Sequence, residues 1–237
     1  MIKQEIKCGL KDGVPIALGY FSVSFSFGIM AVSGGLSIFQ AALTSLTNMT
    51  SAGQFAGLQI ITAGGMLLEM AVTQLIINLR YALMSLSLSQ KLSGEVTMRQ
   101  RMVIAFANTD EIFAVAMSHH KELTFSYMAG LQALPILGWT AGTACGAAAG
   151  NMLPAAVNSA LSVALYGMFM AVVIPAAKKS RPVLMTVILA VFLSSMLRYV
   201  RFFSGISAGM SIIICTVLAS AAGAVCFPVS EEDGGNT

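Results

Sequence analysis

The chain has 237 residues, 57% of them apolar or aromatic and only 10% charged, with 13 Lys and Arg against 10 Asp and Glu. A mean hydropathy of +0.82 excludes disorder, which needs low hydropathy and high charge, and an ordinary water-soluble domain, where about 25% of residues are charged. The net charge of +3 is split among loops and tails, so no patch suits nucleic acid.

Charge placement says more than charge number. No charged residue lies between Asp12 and Glu69, between Glu122 and Lys178, or between Arg201 and Glu231, giving uncharged stretches of 56, 55 and 29 residues. A helix rising about 1.5 Å per residue crosses about 30 Å of hydrocarbon in about 20 residues. The pattern predicts an all-α, polytopic transmembrane helical bundle of six to seven spans, a single membrane domain over 1–237. Cys8, Cys145, Cys215 and Cys226 lack metal or disulfide spacing and read as free thiols. The basic start (Lys3, Lys7, Lys11) precedes an apolar run too long for a signal peptide and without its cleavage site, so that run reads as a retained span.

In chain order, the first span is Val14–Val32, closed by Gly34-Gly35. The next apolar stretch, 36–63, carries hydroxyls, amides and a glycine from Thr44 to Gln54 at what should be membrane depth. Broken backbone is tolerated there only where protein or a wet cavity satisfies it. This predicts a discontinuous or re-entrant segment near residues 44–54, broken around Asn48–Gly53. Met66–Leu88 follows with Glu69 and Arg80, then the basic loop 91–101, then Met102–Ser118 holding Asp110-Glu111. Two spans over 127–149 and 157–177 are joined by the uncharged turn 150–154. Val183–Leu197 is short, Gly205–Phe227 is the last span, and 230–237 reads as a flexible polar tail. A weak echo links 35–56 with 150–171, of the kind left by duplication in transporters.

Lys and Arg concentrate in short cytoplasmic loops. Placing the N-terminus and the loops 91–101 and 178–181 inside, with Lys121 on the same side, accounts for ten of the thirteen positive charges. That arrangement requires 36–63 to enter and leave on the outer side and makes 102–118 re-entrant or interfacial.

No phosphate-binding loop, nucleophile elbow or zinc-spaced Cys/His set is present, so neither an enzyme nor a cofactor is expected. The adjacent His119 and His120 read as a solvated loop. Charges at membrane depth should face a cavity or one another. Glu69 and Arg80 are too far apart to pair along one helix, so Arg80 is expected to meet Asp110 or Glu111, either as a structural strut or as a coupling element. At the break, free N–H groups with Asn48, Ser51, Gly53 and Gln54 make a candidate carboxylate site. Met and Phe side chains would surround an apolar ligand tail. Trp139 reads as packing that needs an N–H partner.

In order, Pro15, Gly19, Phe27-Gly28, Gly34, Leu36-Ser37, Ala52-Gly53-Gln54-Phe55-Ala56, Asn78-Leu79-Arg80-Tyr81, Met84, Asp110-Glu111-Ile112-Phe113, Gly130, Trp139, Thr143, Gly146, Gly150, Pro154, Phe169 and Pro175 resemble the AzlC family over nearly the whole chain. These are the large subunits of AzlC/AzlD branched-chain amino acid exporters. Tyr81 stands where the family often has His, and Thr50-Ser51 where Ala-Gly is common. The resemblance implies a secondary exporter of Leu, Ile, Val or similar amino acids, with a small hydrophobic AzlD-like membrane subunit as partner. It adds Asn78 to the substrate-site candidates, beside Arg80, Asp110 and Glu111 as the coupling or ion-pair set. Two other classes compete: the permease subunit of an ATP-driven amino acid transporter, which would need a cytoplasmic coupling loop that is not visible here, and a non-transporting membrane scaffold, which would have no need of the acidic pair.

Overall fold

The computed structural model describes residues 2–150, 170, 173–175, 177–200 and 205–227. Its elements are α1 (Ile2–Ser33), α2 (Ile38–Thr47), α3 (Ser51–Thr62), α4 (Leu67–Lys91), α5 (Met98–Phe106), α6 (Asp110–Ser118), α7 (Phe125–Gly150), α8 (Arg181–Tyr199) and α9 (Ala208–Cys226). The expected turn 151–154, most of the span 157–177, most of the 150–171 echo, Arg201 and the tail 230–237 lie outside the described residues. Among the described residues the fold is all-α, with one isolated β-bridge between Leu92 and Leu123. Four of the helices, α1, α4, α8 and α9, are long and apolar enough to cross a membrane. The four cysteines are free.

The chain gathers into two compact units, Met1–Leu58 with Asn78–Leu165, and Gln59–Ile77 with Tyr166–Thr237. In the first unit α1 and α7 run parallel and close together. A Cβ on Gly13 would lie 2.6 Å from the Leu131 carbonyl oxygen, one on Gly138 would lie 2.6 Å from that of Ala17, and one on Gly28 would collide with the backbone at Thr143. Contact thus advances in step along both helices, as small residues spaced four apart allow. This explains why α7, uncharged and much of it buried, is built from Gly, Ala and Thr: it packs on protein.

The segment 36–63 breaks as its polarity predicts. Ser37 caps α2 in a capping box with Gln40, and α2 ends at Asn48 in extended backbone (φ −141°, ψ 91°). Three residues later α3 begins. The Gln54 amide donates to Ser45 Oγ at 2.8 Å across the break. In a continuous helix those positions would be about 13 Å apart in rise, so the chain folds back into a hairpin.

A second hairpin was less visible in the sequence. Thr97 caps α5 in a capping box with Gln100, and 107–109 separate α5 from α6. Both outer ends of this hairpin lie beside the C-terminus of α4. Arg101 Nη1 donates to the Ser89 carbonyl at 3.2 Å, and Lys91 Nζ to the Met117 carbonyl at 2.5 Å. The backbone N–H of Ser93 donates to the Leu123 carbonyl at 3.0 Å. The same end holds the start of α1, where Thr124 donates to Glu5 at 2.7 Å. The α2–α3 hairpin follows the opposite end of α1, so the two hairpins enter from opposite ends.

Their sequences match at a spacing of 60. Gly34 and Gly94, the caps Ser37 and Thr97, the box partners Gln40 and Gln100, and the tip residues Asn48 and Asn108 all correspond. A helix followed by a capped, broken hairpin therefore occurs twice, in opposite senses.

In the second unit α8 packs along α9. Ser207 caps α9 and its hydroxyl also meets the Glu69 carboxylate in the first turn of α4, where a negative charge suits the helix dipole.

Replacing Gly28 or Gly142 with Leu should reduce folded protein in the membrane, since overpacking costs about 1–3 kcal/mol or more. Gly19→Ala, with open space at that position, should be tolerated. Size-exclusion profiles of the detergent-extracted variants check this, and a normal profile for Gly142→Leu would contradict the α1–α7 contact.

Candidate functional site

The first tip is clamped by buried polar side chains. Trp139 Nε1 on α7 donates to Gln54 Oε1 at 2.8 Å, the Gln54 amide donates to Ser45, and Ser45 Oγ lies 2.6 Å from Thr143 Oγ1. Gln54 is 2% exposed, and Ser45 and Thr143 are fully buried. Groups this deep must be satisfied inside the protein, and here they satisfy one another. Thr50 turns the chain into α3, accepting from the Gly53 N–H at both its carbonyl (2.6 Å) and hydroxyl (3.2 Å).

Two chains of side chains connect this tip with the second. In one, Tyr20 on α1 stacks edge-on against Trp139, with centroids 5.2 Å apart and planes at 72°. The Tyr20 hydroxyl lies 2.5 Å from both Glu111 Oε2 and Thr109 Oγ1. A phenol has one proton, which a carboxylate claims, leaving the Thr109 hydroxyl to donate to the phenol oxygen. In the other chain, Arg80 Nη1 meets Asp110 Oδ2 at 2.7 Å while Nη2 donates to the Tyr81 hydroxyl at 3.2 Å. The guanidinium also sits over the Tyr81 ring, 4.9 Å from its centroid. The Tyr81 hydroxyl in turn lies close to the Thr50 side chain. The links run Gln54–Trp139–Tyr20–Glu111 and Thr50–Tyr81–Arg80–Asp110.

Of the candidates drawn from sequence, Arg80 and Asp110 form the expected pair, about half exposed on each side. Glu111 turns instead to Tyr20. Asn48 and Ser51 flank the first tip and are partly buried. Gly53 belongs to its turn. Both ends of the Gln54 amide are engaged by protein, so its part is to hold the hairpin. Asn78 is partly buried on α4, about 200° around the helix from Arg80. Sequence reasoning missed Tyr20, Thr109 and Asn108. The signal for Asn108 was present in the 60-residue spacing from Asn48.

The histidines lie apart from the tips. They line a cleft of about 790 Å³ at the N-terminal end of α1, together with Glu5, Cys8, Asp12 and Tyr127. His119 stacks on Tyr127 with centroids 4.3 Å apart, and the Tyr127 hydroxyl donates to Asp12 at 2.9 Å. Among the described residues no group of three His, Cys, Asp or Glu is placed to hold a metal ion.

Gln54→Leu removes both amide bonds and strands the Trp139 N–H, a loss of about 1–3 kcal/mol for each buried group left unpaired. Trp139 is the sole tryptophan, so its emission reports the change directly. The expected result is shifted emission with a lower unfolding midpoint; unchanged emission would contradict the clamp.

The AzlC protein family model matches residues 15–153, which contain both hairpins. An uncharacterized membrane protein of Archaeoglobus fulgidus is 33% identical over 169 residues, covering 70% of this chain and 74% of its own length. The inner membrane protein YgaZ of Escherichia coli is 28% identical over 185 residues, covering 75% and 76%. An uncharacterized membrane protein of Helicobacter pylori is 29% identical over 115 residues, covering 47% and 50%. No solved structure matches. A capped, broken hairpin entered from each end of a helical membrane bundle is thus the architecture of a chain that belongs to the AzlC family.

Proposed function

We propose that this membrane protein is a secondary exporter of branched-chain or similar apolar amino acids, working in the cytoplasmic membrane with a small hydrophobic AzlD-like subunit. The observation that carries the reading is the linkage of two oppositely inserted hairpin tips, through Trp139 and Tyr20 in one chain of contacts and Tyr81 and Arg80 in the other. Discontinuous helices of this kind place substrate and coupling-ion sites at mid-membrane in transporters, because their ends offer free N–H and C=O groups where water is scarce. A zwitterion's carboxylate would take N–H groups at the start of α3 with Ser51 and Asn48, and apolar side chains would surround its tail.

Orientation follows from charge. The end shared by the start of α1, the 91–97 loop and the 119–124 loop carries Lys3, Lys7, Lys11, Lys91, Arg99, Arg101 and Lys121. The turn at the other end of α1, 34–37, has no charge. The basic end is the cytoplasmic one by the positive-inside rule, and the histidine-lined cleft opens there.

Export against a gradient needs an energy source, and the chain has no phosphate loop. An inward proton gradient supplies it if a carboxylate at the tips alternates between a charged, paired state and a protonated, released one. Asp110 with Arg80 has the geometry for this, since Arg80 stays charged and can hold Asp110 only while Asp110 is ionised.

Cells loaded with labelled leucine should lose it faster when chain and partner subunit are expressed together, and faster still when the outside is made acid. Asp110→Asn should remain in the membrane at normal amounts and lose at least about 90% of gradient-driven efflux, since a group that acts by proton transfer contributes on the order of a hundredfold or more. Full pH-dependent export by Asp110→Asn would remove that pair from the coupling. Asn48→Leu should weaken leucine competition about tenfold, as loss of one polar contact to a charged group does.

A further inference from the structure

The two hairpins follow one plan, and they diverge in charge. At the spacing of 60 Asn48 matches Asn108, but Thr50 and Ser51 stand where Asp110 and Glu111 stand. At each tip one half-helix ends with free carbonyls and another begins with free N–H groups. At the first tip no acidic side chain offsets the N–H pole. At the second, two do. Arg80 balances Asp110, whereas Glu111 meets only the neutral hydroxyl of Tyr20 and has no cationic partner among the described residues. One negative charge is left over.

Asn108 supplies an independent observation. It is 4% exposed, and its amide nitrogen donates to Ser85 Oγ at 3.2 Å. Its Oδ1 is buried and has no hydrogen-bond partner among the described residues. A buried carbonyl oxygen seldom goes without a donor in a folded protein.

We infer that the second tip is a cation pole, where Asn108 Oδ1 and the Glu111 carboxylate receive the ammonium group of the substrate while the first tip receives its carboxylate. The inference rests on the export reading and adds to it how exchange is enforced. Glu111 can hold a proton or an ammonium, never both, so an inward proton and an outward amino acid exclude each other at one carboxylate. The groups around Glu111 are Tyr20 from α1, Thr109 and Asp110 from its own segment, with Arg80 and Tyr81 of α4 reaching the Asp110 side. A sodium ion would use the same oxygen atoms, so the test separates the two.

The test measures displacement of bound labelled leucine from membrane vesicles holding the full chain and its partner subunit. Two half-ligands serve as competitors: 3-methylbutylamine, which has only the amine, and 4-methylpentanoate, which has only the carboxylate. Both should compete in the wild type. In Asn108→Leu and Glu111→Gln the amine should weaken by about tenfold or more, as expected for a lost charged hydrogen bond, while the carboxylate stays within about twofold. Asn48→Leu should do the reverse. Asn108→Asp, which keeps the shape and adds a charge, should strengthen the amine and secures the test if Asn108→Leu does not fold. Equal weakening of both half-ligands in every tip variant would overturn the cation pole while leaving export intact. Sodium-dependent leucine binding, lost in Asn108→Leu with amine competition unchanged, would assign the pole to a metal cation and overturn the ammonium assignment. If the wild type binds no apolar amino acid at all, the export reading falls and the pole with it.

Discussion

Water is absent from the middle of a bilayer, so a helix broken there must find every lost backbone and side-chain partner inside the protein. The first unit is arranged around that constraint. The α2–α3 tip is possible because Trp139, Ser45 and Thr143 satisfy Gln54, and because Thr50 closes the turn on Gly53. The platform behind it is the parallel α1–α7 pair, whose glycines bring the backbones close enough to set Tyr20 beside Trp139. Without that close approach Tyr20 would not reach the indole, and the first tip would lose its connection to Glu111.

The same constraint accounts for the charges. Arg80, Asp110 and Glu111 are costly at membrane depth unless paired. Each has found a partner: Asp110 for Arg80, Tyr20 for Glu111. Paired groups at the meeting of two broken hairpins differ from a simple strut in one respect. The surrounding half-helix ends are free to exchange protein partners for a ligand's polar groups, which regular helices cannot do. Arg80 also contacts Tyr81, and Tyr81 contacts Thr50. Tyr81 on α4 and Thr50 at the tip thus carry the contact from Arg80 to the first hairpin.

Much of this was legible in the sequence. Long uncharged stretches gave the helical membrane class, and the polar run from Thr44 to Gln54 marked the first break to within a few residues. Positive charge in the 91–101 loop pointed to a re-entrant 102–118, although its break at 107–109 carries only Asn108 and Thr109 as polar signals and was not located. The pairing of Glu111 with Tyr20 was not legible, because it joins residues 91 positions apart through the α1–α7 packing. The repeat at a spacing of 60 was not read from the sequence. Its true markers are caps and box partners, which repeat because helix starts need them, while the lipid-facing positions between them are free to diverge.

Oppositely inserted hairpins are the central claim, and their sidedness tests it most directly. In a chain with Cys8, Cys145, Cys215 and Cys226 replaced, single cysteines at Ser37, Thr97 and His120 can be labelled with a membrane-impermeant maleimide from either face of sealed vesicles. The account predicts that Ser37→Cys reacts from one face, and that Thr97→Cys and His120→Cys both react from the other. Labelling of Thr97→Cys and His120→Cys from opposite faces would mean that α5–α6 crosses the membrane, and would contradict it.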